Sequence, residues 1–476
     1  MNRKQDSSTP PNKGKRWTLL LVIILVVACG VAAWFLLRGR MAQVLPVTVD
    51  ESRITTYEDG DTVYSPDEST IALDDEEQIY YYDNLVIAFL SEELSEQDAA
   101  ALAKQVNGVV VGNINGPVHM LQIAVHESSF SEIEAYAETL MENDQVSWAS
   151  ADVPTTLTAN ASIKGDSDLN PWSLTGAEAS DLGNEEDPHG NDWWAEAIGA
   201  YTAWNIVDSE KYPFTPAKVG ILDGGFDIDH EDLTGKIEVL GDNRPDDHGT
   251  HVAGIIGAWN NTVGIRGVAD RSALVVADAS PVGEETWTMV SSGEAVKVFM
   301  EMVKSGCYVI NISGGASKAV KSDVDLDEFI KHIYQSSCYS GFLYTMLISR
   351  LIEAGYEQFM FVQAAGNGFT PDKILGFSAD NVGIDVAYNG MFCNVDRIAY
   401  DKMIQAGAKL ADYDKIRSHV MIVGAVENKA DKDGNYKMTM YSNYGDNVDI
   451  CAPGSDILST FTTKDDTSGK RENGKI

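Results

Sequence analysis

The 476-residue chain carries 72 acidic against 35 basic side chains, a net charge of −37, and this excludes the basic face that nucleic-acid binding requires. With 44% hydrophobic residues it has the composition of a globular protein, and its length accommodates two or three domains. Five cysteines in so long a chain exclude a disulfide scaffold.

In chain order, residues 1–16 are a basic N-terminus with Arg3, Lys4, Lys13, Lys15 and Arg16. Residues 17–37 are 21 uncharged, almost wholly apolar positions, enough for a helix to cross a hydrocarbon layer of about 30 Å. Only Arg38 and Arg40 follow closely, so the positive-inside bias places the N-terminus in the cytoplasm and the remainder outside, as a single-pass protein attached to the membrane by this helix. A cleaved signal peptide is the alternative, but its apolar core is usually shorter. A third reading takes Val26-Val27-Ala28-Cys29 as a lipoprotein processing site; the apolar run that continues to Leu37 fits a span better.

Residues 38–83 are acidic and weakly patterned, as expected of a stalk. A compact alternation follows over residues 84–154. It comprises a strand at 84–90, a helix opened by Ser95 with Asp98 three positions on, and strands at 109–113 and 118–125. A helix from Ser131 with Glu134 as capping partner and a strand at 145–150 complete a small α+β, ferredoxin-like βαββαβ unit. Residues 155–191 lose periodicity and read as an exposed linker.

From residue 192 to the end, short apolar runs recur at 218–222, 273–277, 307–312, 359–365 and 420–425, separated by helical stretches such as 292–303. Unbroken apolar strands alternating with helices predict an α/β fold: a parallel sheet with helices on both faces. Cys307 and Cys451 fall in these runs and are expected to be buried thiols, Cys29 lies in the span, and Cys338 and Cys393 remain as the candidates for a disulfide.

In parallel sheets functional groups gather beyond the carboxyl ends of the strands. The first run ends in Asp223-Gly224-Gly225, the third in Ser313-Gly314-Gly315 and the fourth in Gly366-Asn367-Gly368. His248 comes 25 positions after Asp223 and opens a helix at 250–257 whose small residues permit close packing. A carboxylate, an imidazole and an amide at one edge suit acyl transfer once a nucleophile joins them. The Asp orients the imidazole, the imidazole takes the nucleophile's proton, and the amide donates to the developing oxyanion.

The run Val219 to Gly225 with His230 and Leu233, the stretch His248-Gly249-Thr250-His251-Val252-Ala253-Gly254, then 310–315 and 364–367, together resemble the subtilisin-like serine proteases. Val423-Gly424-Ala425, Tyr441-Ser442-Asn443-Tyr444-Gly445 and Cys451-Ala452-Pro453-Gly454 extend the resemblance in the family's order over residues 192–460. It implies an endopeptidase acting on extracellular proteins and peptides, with Asp223 and His248 as triad members and Asn367 as oxyanion donor. Ser313, Gly314 and Gly315 would form a wall of the substrate cleft. It implies no required cofactor and no catalytic metal; calcium sites are frequent in the family, and no motif here locates one. The unit at 84–154 is similar to the family's propeptide, an intramolecular folding aid and inhibitor whose tail occupies the active site until cleaved, so the chain reads as a zymogen.

The departure is the nucleophile. The family's Gly-Thr-Ser-Met-Ala segment is not found after Pro453, where a polar run at 462–475 follows, so the chain is expected to be an incomplete, nearly inactive fragment of such a protease. Ser468 is the only serine late enough to substitute, in a charged run with no small-residue helix behind it. Three other readings stand beside this one. One is an inactive pseudoprotease that binds peptides, and another is a metal-dependent hydrolase using His248 and His251, one helical turn apart. The third, for single residues, is purely structural: His248 capping a helix, Asp223 and Asn367 serving turns.

Overall fold

A computed structural model describes residues 47–76, 79–157, 193–209, 215–261, 264–279, 288–314, 326–367, 397–455 and 457–462. The apolar stretch 17–37, most of the linker, Gly315, Cys393 and Ser468 lie outside them. No helix among the described residues is long and apolar enough to cross a membrane.

The N-terminal part begins with strands β1 (Ile54–Thr56) and β2 (Thr62–Tyr64), then β3 (Ile71–Asp74) and β4 (Ile79–Tyr82), the latter two paired with each other. Next come β5 (Leu85–Leu90), α1 (Glu96–Ala103), β6 (Val109–Ile114), β7 (Met120–Ala124), α2 (Phe130–Met141) and β8 (Val146–Ala151). The sheet order is β1-β2-β6-β7-β5-β8. The last four strands give the 2-3-1-4 order of a split βαβ unit, closed by two helices on one face. Ser95 caps α1 by accepting from the Asp98 N–H, as its spacing predicts. The second helix starts two residues earlier than expected: Ser129 and Glu132 form the capping box, and Glu134 instead accepts from the Ala151 N–H at 2.9 Å and the Tyr339 hydroxyl at 2.9 Å.

Residues expected to be a stalk are built into this sheet. The β1–β2 hairpin continues it beyond β6, and Asp61 is buried rather than solvated. Acidic composition hid this because the carboxylates are paired with a lysine far along the chain. The linker also begins as a strand: β9 (Thr155–Leu157) pairs antiparallel with β13 (Thr288–Val290).

The C-terminal part contains α3 (Trp193–Ala197), α4 (Ala200–Asp208), β10 (Lys218–Asp223), β11 (Ile237–Val239), α5 (Asp247–Gly257) and β12 (Ala273–Asp278). After β13 come α6 (Ser292–Lys304), β14 (Cys307–Ile312), α7 (Leu326–Glu353), β15 (Met360–Ala364), α8 (Arg397–Gln405) and α9 (Tyr413–Arg417). The chain then forms β16 (Val420–Ala430), β17 (Tyr436–Met438) and β18 (Ile450–Pro453). The sheet runs β11-β12-β10-β14-β15-β16-β17, with β18 also on β16; every pairing is parallel except β16 with β17. This is the α/β sheet that the apolar runs predict. Cys307 is buried, but Cys451 is exposed, because β18 pairs through β16 alone among the described residues.

One hydrophobic core joins the two parts. Helix α6, with its Ser291/Glu294 capping box, buries Ala295, Val296, Phe299, Met300, Met302 and Val303. It lies between the large sheet and the N-terminal sheet, whose Ile87, Phe89, Met120 and Trp148 belong to the same cluster as Phe299 and Phe361. Trp148 packs on Phe342 of α7 with ring centroids 5.0 Å apart. At the rim, Lys297 of α6 is 2.7 Å from both Asp59 and Asp61 in the β1–β2 loop and 3.0 Å from Glu301.

Candidate active site

Parallel pairing sets β12, β10, β14 and β15 side by side, with Leu222 opposite Ile312 and Ile312 opposite Gln363. Their carboxyl ends therefore deliver Asp278, Asp223, Ser313-Gly314 and Gly366-Asn367 to one edge. Glycines bring His248 there. A Cβ on Gly249 would meet the Gly224 and Gly225 carbonyl oxygens at 2.1 and 2.5 Å, and one on Gly225 would lie 1.5 Å from the Arg244 carbonyl oxygen. The loop after β10 and the first turn of α5 thus pack backbone on backbone. Asp246 caps α5 through the His248 N–H at 2.8 Å, a role its position two residues before the helical histidine could have signalled.

Asp223 Oδ1 lies 2.5 Å from His248 Nδ1. The carboxylate, 3% exposed, also accepts from the Gly224 N–H at 2.7 Å. Its charge pushes the imidazole up to about 9, with burial opposing and the Asp223 hydrogen bond and the Asp246 charge assisting. The bond holds Nδ1 in the protonated form, which leaves Nε2 as the nitrogen able to take up or release a proton. The ring is 29% exposed, reachable from the strand edge while its carboxylate partner is not.

His251 has the opposite character. It is one turn on, with Nε2 3.1 Å from the Ile457 carbonyl oxygen, and burial pushes it down to about 4. It packs against the segment that carries Ile457. Around it, Thr460 Oγ1 donates to the Thr250 carbonyl at 2.6 Å and Ser459 Oγ to the His251 carbonyl at 2.7 Å. A Cβ on Gly254 would meet these hydroxyls at 2.1 and 2.5 Å. The small residues of α5 thus admit the segment 457–462 as well as the sheet. No group of three metal-ligating side chains surrounds His248 among the described residues; the group that converges within 4.8 Å is Asp59, Asp61 and Glu301, centred on Lys297.

Ser313, half-buried, receives a hydrogen bond from Asn311 Nδ2 at 2.9 Å, and Gly314 is buried beside it. Asn367 is exposed at the edge, just beyond Gly366, whose φ of +98° lies in the left-handed region that favours glycine. The structure thus joins Asp223 to His248 directly, and sets Ser313, Gly314 and Asn367 on the same edge without a described contact to either. The residue that sequence reasoning underrated is Asn443, wholly buried and bonded to the turn that carries Asn367.

Residues 215–475, more than half of the chain, match the subtilase family. The chain belongs to that family. Among curated relatives, this subtilase is 26% identical to thermitase of Thermoactinomyces vulgaris over 278 residues, 56% of this chain and 72% of thermitase. It is 36% identical to the subtilisin of Bacillus pumilus over 132 residues, 25% of this chain and 46% of that one. Fervidolysin of Fervidobacterium pennivorans, described as a keratinolytic enzyme related to subtilisin, is similar at 17% identity and a TM-score of 0.48. That match covers 91% of this chain and 53% of fervidolysin. The chain therefore spans about half the length of that subtilisin and of fervidolysin.

Proposed function

We propose that this subtilase is the precursor of a serine endopeptidase that hydrolyses peptide bonds of extracellular proteins, with Asp223 and His248 as its charge-relay pair. The 2.5 Å contact from a buried carboxylate to a partly exposed imidazole carries the reading. Asp223 fixes the tautomer and stabilises the imidazolium, His248 Nε2 accepts the proton of the attacking serine, and Asn367 donates to the oxyanion. Among the described residues no serine side chain hydrogen-bonds to the His248 ring. The wall of the cleft includes Ser313 and Gly314, and the N-terminal α+β unit acts as the intramolecular inhibitor. The pairing of β9, which follows that unit, with β13 supports this, since it lays the chain along the peptidase part as an extended peptide would lie. Residues 17–37 serve as the membrane anchor, with the peptidase part outside.

The test is hydrolysis of an unfolded protein substrate by the product of the complete gene, wild type against His248→Ala, with labelling by a fluorophosphonate that traps activated serines. Loss of about 10⁴-fold or more in kcat together with loss of labelling supports the assignment. Turnover or fluorophosphonate labelling that survives the substitution overturns it.

A further inference from the structure

We infer that Asn443 is a positioning residue for Asn367: it grips the two peptide carbonyls immediately before the oxyanion donor. The inference rests on the reading of Asn367 given above and names what holds it. Strand β15 ends at Ala364, and the chain must then turn sharply enough to present Asn367 at the exposed edge. Three hydrogen bonds define that turn. The Ala365 N–H donates to the Val423 carbonyl of β16 at 2.8 Å, the Asn443 N–H donates to the Gly366 carbonyl at 2.9 Å, and Asn443 Nδ2 donates to the Ala365 carbonyl at 2.8 Å. Two of the three come from one residue.

Asn443 is itself fixed to the sheet. Ser442 Oγ accepts from the Ala425 N–H of β16 at 2.9 Å and donates to the Asn443 carbonyl at 3.0 Å, while the Ser442 N–H reaches the Thr439 carbonyl at 3.2 Å. The frame of β16 is thereby transmitted to the turn beyond β15. Only a side chain with an N–H donor at this length serves: aspartate of the same shape would set an acceptor against the Ala365 carbonyl. Oxyanion donors work only within about 2.7 to 3.1 Å of the developing charge, and a misplacement of about 1 Å can cost about 100-fold in rate. Gly366, in a conformation reached as readily by an unheld glycine as many others, supplies no stiffness of its own.

The test is a double-mutant cycle on the complete gene product, with kcat, KM and the thermal midpoint measured for wild type, Asn367→Ala, Asn443→Ala and the double variant. Asn443→Ala is expected to lower kcat about 10- to 100-fold with KM within about threefold, and to cost no more than about threefold when Asn367 is already Ala, because the two act through one donor. Multiplying losses, or a loss confined to KM or to thermal stability, overturns the inference. If Asn443→Ala does not fold, Ser442→Ala, which releases the same turn from Ala425, takes its place in the cycle with the same expectation. If Asn367→Ala itself leaves kcat unchanged, or the wild type hydrolyses nothing, the failure lies in the functional reading, and the inference falls with it.

Discussion

Replacing Asp223 by Asn removes the charge that dominates His248 while keeping the side chain's size. The imidazole sits at about 9 against an ordinary 6.5, chiefly through the Asp223 charge. At 1.36 kcal/mol per unit, those 2.5 units are about 3 kcal/mol of preference for the charged ring. Because the folded value is raised, this stabilisation is complete below pH 6.5 and is lost as pH climbs through 9. In Asp223→Asn, burial is left with only the Asp246 charge to oppose it, and the titration midpoint should fall by about 2 units or more. Imidazole resonances followed by heteronuclear NMR from pH 5 to 10 read the midpoint directly. Urea unfolding at pH 6 and 10 reads the linked stability, which should drop between those values by up to about 3 kcal/mol more in the wild type than in the variant. A midpoint unmoved by the substitution would refute the assignment of Asp223 as the source of the perturbation, and with it the electrostatic basis of the pair.

With His248 as the proposed base, the same midpoint would set the acid limb of turnover, so kcat/KM of the complete gene product should rise with pH to about 9; a limb below 7 would contradict it. Lys297→Met leaves Asp61, 2% exposed, without its counterion and should cost about 3 to 5 kcal/mol in denaturant unfolding, with amide exchange accelerated first in β1 and β2. A cost below about 1 kcal/mol would mean the hairpin is not held by this network. Asp152 is wholly buried, accepts from the Ser292 N–H and hydroxyl, and is pushed by burial from 3.8 up to about 6, so its neutral form fits the fold and stability falls as pH rises through 6. Asp152→Asn should therefore be more stable than wild type at pH 8 by up to about 3 kcal/mol and converge with it below about pH 4; equal stability at pH 8 would count against this. Gly249→Ala drives a Cβ into two backbone carbonyls and should cost about 3 kcal/mol or more, displacing His248 from Asp223; a normal melting temperature and His248 titration would disprove the close packing.

Where local chemistry decides, the sequence was sufficient. The strand Cys307–Ile312 and the helix α6 follow from an apolar run and a helical stretch, since both depend on residues a few positions apart. That Asp223, His248 and Asn367 come to one edge of the sheet was legible because each terminates or follows a strand in a recognisable order. Where a residue's role depends on a distant partner, the sequence was silent or misleading. Residues 49–65 read as a stalk because acidic side chains usually mean solvent, yet two of them surround a buried lysine more than 230 positions away. Ser131-x-x-Glu134 and Ser129-x-x-Glu132 present the same local pattern, and only the position of the helix against β8 separates them. Asn443 looked like one letter of a motif until its amide was seen on the Ala365 carbonyl. The sequence by itself determined the α/β class and the strands that lead to Asp223, Ser313 and Asn367. The tertiary structure decided that His248 meets Asp223 at 2.5 Å, that His251 turns inward, and which buried polar groups hold the edge in place. Periodicity and caps are written in neighbouring residues, whereas desolvation and charge pairing are properties of the space into which distant residues fold.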